Sequence, residues 1–325
     1  MMKDNNNSPI VSIVIVSMNN LKNLCPCLQS ILKYTHVSYE CFVVAYLFTK
    51  ENLVKVRKDF PWVKIIESNE IRGFSENNNL ALRRTVGKYC FVLNDDTEMK
   101  MPIVDLLVED FKKVSNNVAV ISPKTIFPDR SLQSCGRPPI TWTKHILSVL
   151  HLWNESQPSL YTCQKGLFKS YNIVGAAFLI KRDIFKQYGW FDEQYFFCPE
   201  DIAIGTTLNE HNYYCYVDAD IEIVHYEGMS GKSESMIQTA TKPAALRGGF
   251  LYYNKGNCIK MVINQFLCLF VLFFHLFYHS IKVKISREKR IYAVLVKADL
   301  NCIKICFSHK TPKEIFIKYY KKLNK

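Results

Sequence analysis

Through residues 10–125, apolar runs of strand length alternate with helical stripes. "IVSIVIVS" (Ile10–Ser17) and "KYCFVLN" (Lys88–Asn94) are apolar without a break, as strands are when both faces of their sheet are covered. "CFVVAYLF" (Cys41–Phe48) predicts a second strand and "VKIIES" (Val63–Ser68) a third. Across Asn19–Tyr34, Leu21, Leu24, Leu28, Ile31 and Leu32 fall on one helical stripe. Strand and helix in alternation predict an α/β fold, a mostly parallel sheet flanked by helices. Residues 126–172, with Pro128, Pro138, Pro139, Pro158, Trp142, Trp153 and Tyr161, predict a loop-rich insertion. Strands return in "IVGAAFLIK" (Ile173–Lys181) and "YCYVDADIEIVH" (Tyr214–His225).

The C-terminal pattern is different. From Met261 to Tyr278 the polar positions are Asn264, Gln265, His275 and the Tyr278 hydroxyl, at the lower limit of a membrane-spanning length. The basic flank of Lys282, Lys284, Arg287, Lys289 and Arg290 suits an anchor or an interfacial helix on anionic lipid. A buried helix of a C-terminal subdomain is the alternative. The expectation is membrane association through residues 261–278, embedded in the interface rather than spanning, with "KEIFIKYYKKL" (Lys313–Leu323) as a further basic amphipathic helix. The predicted organisation is a disordered N-terminus (1–9), an α/β domain (10–250) and a basic, apolar helical extension (251–325).

Composition narrows the classes. With 48% hydrophobic and 13% aromatic residues, the 325-residue chain is not disordered, and 12 Gly with 12 Pro exclude a collagen-like chain. The net charge of +13 is concentrated in residues 280–325, which hold 13 Lys+Arg and 3 Asp+Glu. No RNA- or DNA-binding motif accompanies that basic tail, so nucleic acid is not an expected partner. Of the 12 cysteines, Cys41, Cys90, Cys215 and Cys268 sit in apolar runs, and Cys25, Cys27, Cys302 and Cys306 lack structural zinc spacing. With a polar "MMKDNNNSPI" start, the body reads as cytosolic and reduced.

Three acidic or imidazole signals carry candidate chemistry. "VLNDDTEM" ends a buried strand at Asn94-Asp95-Asp96, and ligands bind at the carboxyl ends of strands in open α/β sheets. Adjacent carboxylates there suit a divalent cation with a diphosphate, or an Asp-rich turn. Glu200-Asp201 precedes a predicted helix, as dipole-stabilising caps or as a general base. His225 closes the strand "DIEIVH", as a structural histidine or a metal ligand.

The ordered set "SIVIVSMNN", "RGFSENNN", "LNDDT", "VGAAFLIKRDIFKQYGWFDEQYFF…ED" and "H..G.S" resembles the family 2 inverting glycosyltransferases, especially rhamnosyltransferase-like bacterial members, over residues 10–231. The resemblance implies a GT-A fold, a nucleotide-sugar donor, Mg2+ or Mn2+, and inverting transfer to an acceptor hydroxyl. It assigns Asp96 and His225 to the metal, with Asn94 and Asp95 at the donor. Asp201 is implied as the catalytic base, with Glu200 as its neighbour. Ser17, Asn19, Arg72, Gly73, Phe74, Asn78 and Asn79 fall where the family builds its nucleotide pocket, and Gly175 and Ala176 where it lines the sugar site. Ala45 replaces an aspartate usual after the second strand, while Ala203 and Thr207 replace a usual Asp and Arg. With the basic, apolar C-terminus, the implied role is surface-polysaccharide (O-antigen-type) assembly on a lipid-linked or glycan acceptor, at the cytoplasmic face of the bacterial inner membrane. A second reading is a catalytically impaired relative that binds a glycan or partner.

Overall fold

Four apolar runs become four parallel strands: β1 (Val11–Ser17), β2 (Tyr39–Tyr46), β3 (Lys64–Ser68) and β4 (Tyr89–Asn94). The computed structural model describes residues 8–133, 136–154, 164–226 and 236–323. Pro158, Tyr161, residues 1–7 of the predicted disordered start and the Gly228–Ser230 part of the "H..G.S" motif lie outside them. α1 (Leu21–Tyr34), α2 (Lys50–Asp59) and α3 (Phe74–Leu82) make the crossovers. β1 shows why its run carries no polar alternation. Val11, Ile13 and Ile15 pack with Leu24, Leu28 and Ile31 of α1, while Val14 packs on the other face with Ala81 and Leu82 of α3.

The remaining elements are β5 (Thr97–Met99), α4 (Ile103–Lys113), β6 (Val118–Ile126), α5 (Trp142–Val149), β7 (Leu167–Ser170), β8 (Ala177–Lys181), α6 (Arg182–Gln187), α7 (Glu200–Glu210) and β9 (Tyr214–His225). The sheet order is β3-β2-β1-β4-β8-β6-β9-β5, with β7 also on β9. The sheet is therefore mixed, since β8 lies antiparallel to both β4 and β6.

Three boundaries correct the sequence expectations. β2 ends at Tyr46 rather than Phe48 because Leu47 turns the chain at φ 52°. β8 starts at Ala177 rather than Ile173, because the Gly175 amide turns to Asp201 and the Ala176 carbonyl to the Asn94 amide. The 126–172 insertion holds α5, capped by the Thr141 hydroxyl, and β7, paired along β9.

Four helices complete the chain: α8 (Gln238–Asn254), α9 (Cys258–Ile285), α10 (Lys289–Ile305) and α11 (Pro312–Tyr320). The last is shorter than the predicted Lys313–Leu323 and starts from a Thr311–Glu314 capping box. These helices pack back onto the α/β body. Phe196 forms one cluster with Ala240 and Ala244 of α8, Ile305 of α10, and Ile315 and Phe316 of α11. Lys313 on α11 pairs at 2.6 Å with Glu76 in the first turn of α3.

Candidate active site

A cavity of about 670 Å³ opens at the carboxyl ends of β1, β2 and β4, lined by Met18, Tyr46, Arg72, Gly73, Phe74 and Asn77, by Asn94, Asp95 and Asp96, and by Phe197, His225 and Lys242. This is where parallel strands leave room for a ligand, because their crossovers diverge there. Apolar β4 delivers Asp95 and Asp96 to that edge nearly buried. Burial pushes the Asp95 carboxyl up to about 7; the Ser17 hydroxyl opposes the rise and the charge of Asp96 adds to it.

Antiparallel pairing of β5 with β9 sets Thr97 opposite His225 and brings the imidazole over Asp96. His225 Nε2 lies 3.4 Å from Asp96 Oδ1. On its other side, Nδ1 lies 3.0 Å from Gln133 Oε1, while Gln133 Nε2 donates to the His225 carbonyl at 2.7 Å. With Nδ1–H donated to the amide oxygen, Nε2 presents a lone pair toward a carboxylate oxygen. Two electron-pair donors converging in this way, beside a second carboxylate, fit a divalent cation. Among the described residues no group of three or more His, Cys, Asp or Glu side chains suits a metal, so a cation here would be held by Asp96 and His225 and would need further oxygens from outside the protein.

The acidic pair stands at the start of α7. Asp201 Oδ2 accepts from Arg137 Nη1 at 2.7 Å and from the Gly175 amide at 3.1 Å, and Oδ1 accepts from the Ile202 amide at 2.8 Å. A carboxylate has about four acceptor sites, so one remains on Oδ1. Glu200 is fully enclosed, and burial first, then the charge of Asp201, drives its carboxyl upward.

The other predicted residues divide. Arg72, Gly73, Phe74, Asn94, Asp95, Asp96 and His225 line the cavity. Gly175 and Ala176 lie behind it, joining Asp201 to Asn94 through their backbone. Ser17 is buried beside Asp95. Asn19, Asn78 and Asn79 do not line this cavity. Asn19 Oδ1 accepts from the Thr49 amide and Asn52 Nδ2. Asn78 donates to the Phe74 carbonyl, and Asn79 braces Phe191 and Glu193. On a helix successive residues point about 100° apart, so of the three asparagines only Asn77 faces the cleft. Ala45 is buried within β2, and its neighbour Tyr46 faces the cleft instead. Ala203 and Thr207 face a separate cleft of about 700 Å³ on the outer side of α7.

Sequence reasoning missed Tyr46, Asn77, Gln133, Arg137 and Lys242. Only Asn77 carried a signal, as part of the asparagine run. Lys242 comes from α8 and is fixed by Asp299 of α10 at 2.8 Å.

The profile described as Glycosyl transferase family 2 matches residues 12–189. The chain is 23% identical over 245 residues to the O-antigen biosynthesis protein RfbC of Myxococcus xanthus, covering 70% of this chain and 18% of that protein. It is 28% identical over 193 residues to an uncharacterised protein of Sinorhizobium fredii, covering 57% of this chain and 21% of that one. The chain thus spans about a fifth of the length of these relatives. Among solved structures it resembles the mannosyltransferase PcManGT of Pyrobaculum calidifontis in complex with GDP-Man and Mn2+, with a TM-score of 0.52 at 13% identity, covering 98% of this chain and 87% of that one. It also resembles GalNAc-T7 with UDP, GalNAc and Mn2+, with a TM-score of 0.55 at 16% identity, covering 94% and 57%. With a profile match over more than half its length and this sheet, the chain belongs to glycosyl transferase family 2 and has the GT-A fold.

Proposed function

We propose that the protein transfers a sugar from a nucleoside-diphosphate donor to a hydroxyl of a glycan acceptor, with inversion. The observation that carries this reading is the convergence of Asp96 and His225 at the strand ends of a cavity also lined by Arg72 and Lys242. Asp96 and His225 would hold Mg2+ or Mn2+, which supplies Lewis-acid stabilisation of the departing diphosphate when bound. Arg72 and Lys242 add fixed positive charge for the same anion. On the acceptor side, Asp201 takes the hydroxyl proton on its remaining Oδ1 site. The acceptor oxygen then bonds to the anomeric carbon, and the bond to the diphosphate breaks with its electron pair leaving on phosphate oxygen. One base suffices for a single displacement, and Arg137 with the Gly175 amide keeps Asp201 oriented.

The O-antigen role named for the M. xanthus relative supports surface-polysaccharide assembly as the setting. The apolar α9, which packs on the same α8 that lines the donor cleft, supports a lipid-linked acceptor at the cytoplasmic face of the membrane as part of this reading.

The test is a thermal-shift panel of UDP-, GDP-, CMP- and dTDP-sugars with and without Mn2+ or Mg2+, on wild type and His225→Ala. One donor should raise the melting temperature in a metal-dependent way, since a ligand of the folded state stabilises by mass action. The variant should lose the metal dependence. No shift from any donor refutes the reading, and metal dependence retained in His225→Ala removes that residue from the site.

A further inference from the structure

Helix α9 is held by one face only. Asn264, Gln265, Cys268 and Leu272 are buried, with Asn264 3.0 Å from His145 of α5 and His279 2.6 Å from Asp299 of α10. The opposite face keeps Phe266, Phe270, Phe273, Phe274, Phe277 and Ile281 exposed. Their spacing is helical, so they form one stripe. Only 22% of the helix's most apolar 18-residue window is buried. A soluble monomer rarely leaves a continuous aromatic stripe of this kind in water.

Charge and length identify what covers it. Lys282, Lys284, Arg287, Lys289 and Arg290 follow the stripe, with Glu288 as the one acid among residues 282–290. Apolar insertion beside a cluster of cations matches an anionic bilayer surface. The packing also excludes a span. α10 returns antiparallel along α9, as the Tyr278–Tyr292 contact near the turn and the Cys268–Cys306 cluster further along require. A spanning α9 would carry Lys297, Asp299 and Lys304 of α10 into hydrocarbon. At 28 residues and about 42 Å, α9 is long enough to cross a hydrocarbon core of about 30 Å, so its packing and not its length decides. We propose that the protein docks on anionic membranes with α9 lying in the interfacial plane, its phenylalanine stripe among the acyl chains and the 282–290 cations on the headgroups. This deepens the localisation half of the functional reading and involves no residue of the cleft.

The test uses the whole 325-residue chain and needs no turnover, so a failed transfer assay leaves it intact. Sedimentation with phosphatidylcholine vesicles, with and without phosphatidylglycerol, should show binding that anionic lipid strengthens at least tenfold. Phe270→Ser with Phe273→Ser and Phe277→Ser should lower that binding at least tenfold with an unchanged melt. K282Q with K284Q and R287Q should abolish the lipid preference. Orientation is read with an impermeant maleimide on sealed inside-out membrane vesicles from expressing cells, in a Cys198→Ser background. The exposed native Cys258 at one end of α9 and the cysteine of Ser286→Cys at the other should both react. Labelling of one end alone means a span and overturns the proposal. So does a stable dimer that buries the stripe and ignores vesicles.

Discussion

Gly73 offers the most direct check on how the donor cleft is built. Its φ of −77° is open to any residue, so conformational freedom is not why glycine stands there. The reason is close approach. A Cβ at this position would lie 2.3 Å from the Phe196 carbonyl oxygen, 2.7 Å from its Cα and 2.9 Å from its carbonyl carbon. These are backbone atoms and cannot rotate aside. Gly73→Ala must therefore part the start of α3 from the 196–197 loop by about 1 Å, straining the 2.8 Å bond from the Phe74 amide to the Phe196 carbonyl. The loop cannot retreat freely, because the Phe196 ring packs 4.6 Å from that of Phe316 on α11. Overpacking of about 2 kcal/mol and a weakened hydrogen bond of about 1 kcal/mol sum to about 3 kcal/mol. At about 2.1 cal/mol/K per residue over this length, the melting temperature should fall by roughly 4 °C. Because Gly73, Phe74 and Phe197 all line the cavity, the stabilisation conferred by the donor should shrink as well. The assay is a thermal melt with and without donor, beside Gly189→Ala. At Gly189, φ is +82° and nothing lies within 4 Å of the added atom, so only backbone strain of about 1 kcal/mol is expected. A Gly73→Ala melt no lower than that of Gly189→Ala would refute the steric argument.

Lys242→Met should raise the donor KM about tenfold or more, the cost of one charge-assisted hydrogen bond to phosphate; steady-state kinetics showing a change below about twofold would remove Lys242 from the donor site. Burial pushes the His145 imidazole down to about 4, against about 6.5 unfolded, so between those values the unfolded chain binds a proton that the native state refuses, and stability falls by about 2 kcal/mol from about pH 7 to about pH 5. Urea titrations of wild type and His145→Phe check this, and parallel pH slopes would refute it. Ala203→Asp with Thr207→Arg places an i,i+4 pair facing the outer cleft of α7 and should add about 0.5 kcal/mol, which a lowered or unchanged melt would contradict.

The strands were legible where both sheet faces are covered, because burial on both sides leaves a run with no polar interruption. That is the case for β1 and β4, and the pattern was weaker where packing is one-sided. α5 is half-buried along most of its length, His145 against Tyr253 included, and encloses none of its eight residues completely, so its sequence shows little contrast between faces. β7 has four residues and, among the described residues, pairs with β9 alone. The direction of β8 was equally invisible: an apolar run has the same pattern parallel or antiparallel, and the connections decide. In the cleft, Asp95-Asp96, Glu200-Asp201 and His225 stood out because polar groups abruptly end apolar runs. Asn77, Asn78 and Asn79 could not be told apart, since helical phase against the rest of the fold selects the one that faces a ligand.

Lys242 marks the deeper reason that part of the site was hidden. Nothing local distinguishes a single lysine in "TATKPAALRGG". Its significance comes from Asp299, a fully buried carboxylate that bonds both Lys242 and His279. A buried carboxylate is costly unless paired, so α8, α9 and α10 are tied together at this point. α11 adds a second tie, with Lys313 on Glu76 and Phe316 on Phe196. Glu76 in turn holds the Gly73 amide at 3.1 Å, so this C-terminal helix supports the start of α3 from outside. The basic, apolar end of the chain looks in sequence like an appendage with one task. In the fold, Lys242, Asp299 and Lys313 wall and brace the cleft while the phenylalanine stripe of α9 faces away from the protein. One segment therefore joins the cleft to the face that we propose docks on the membrane.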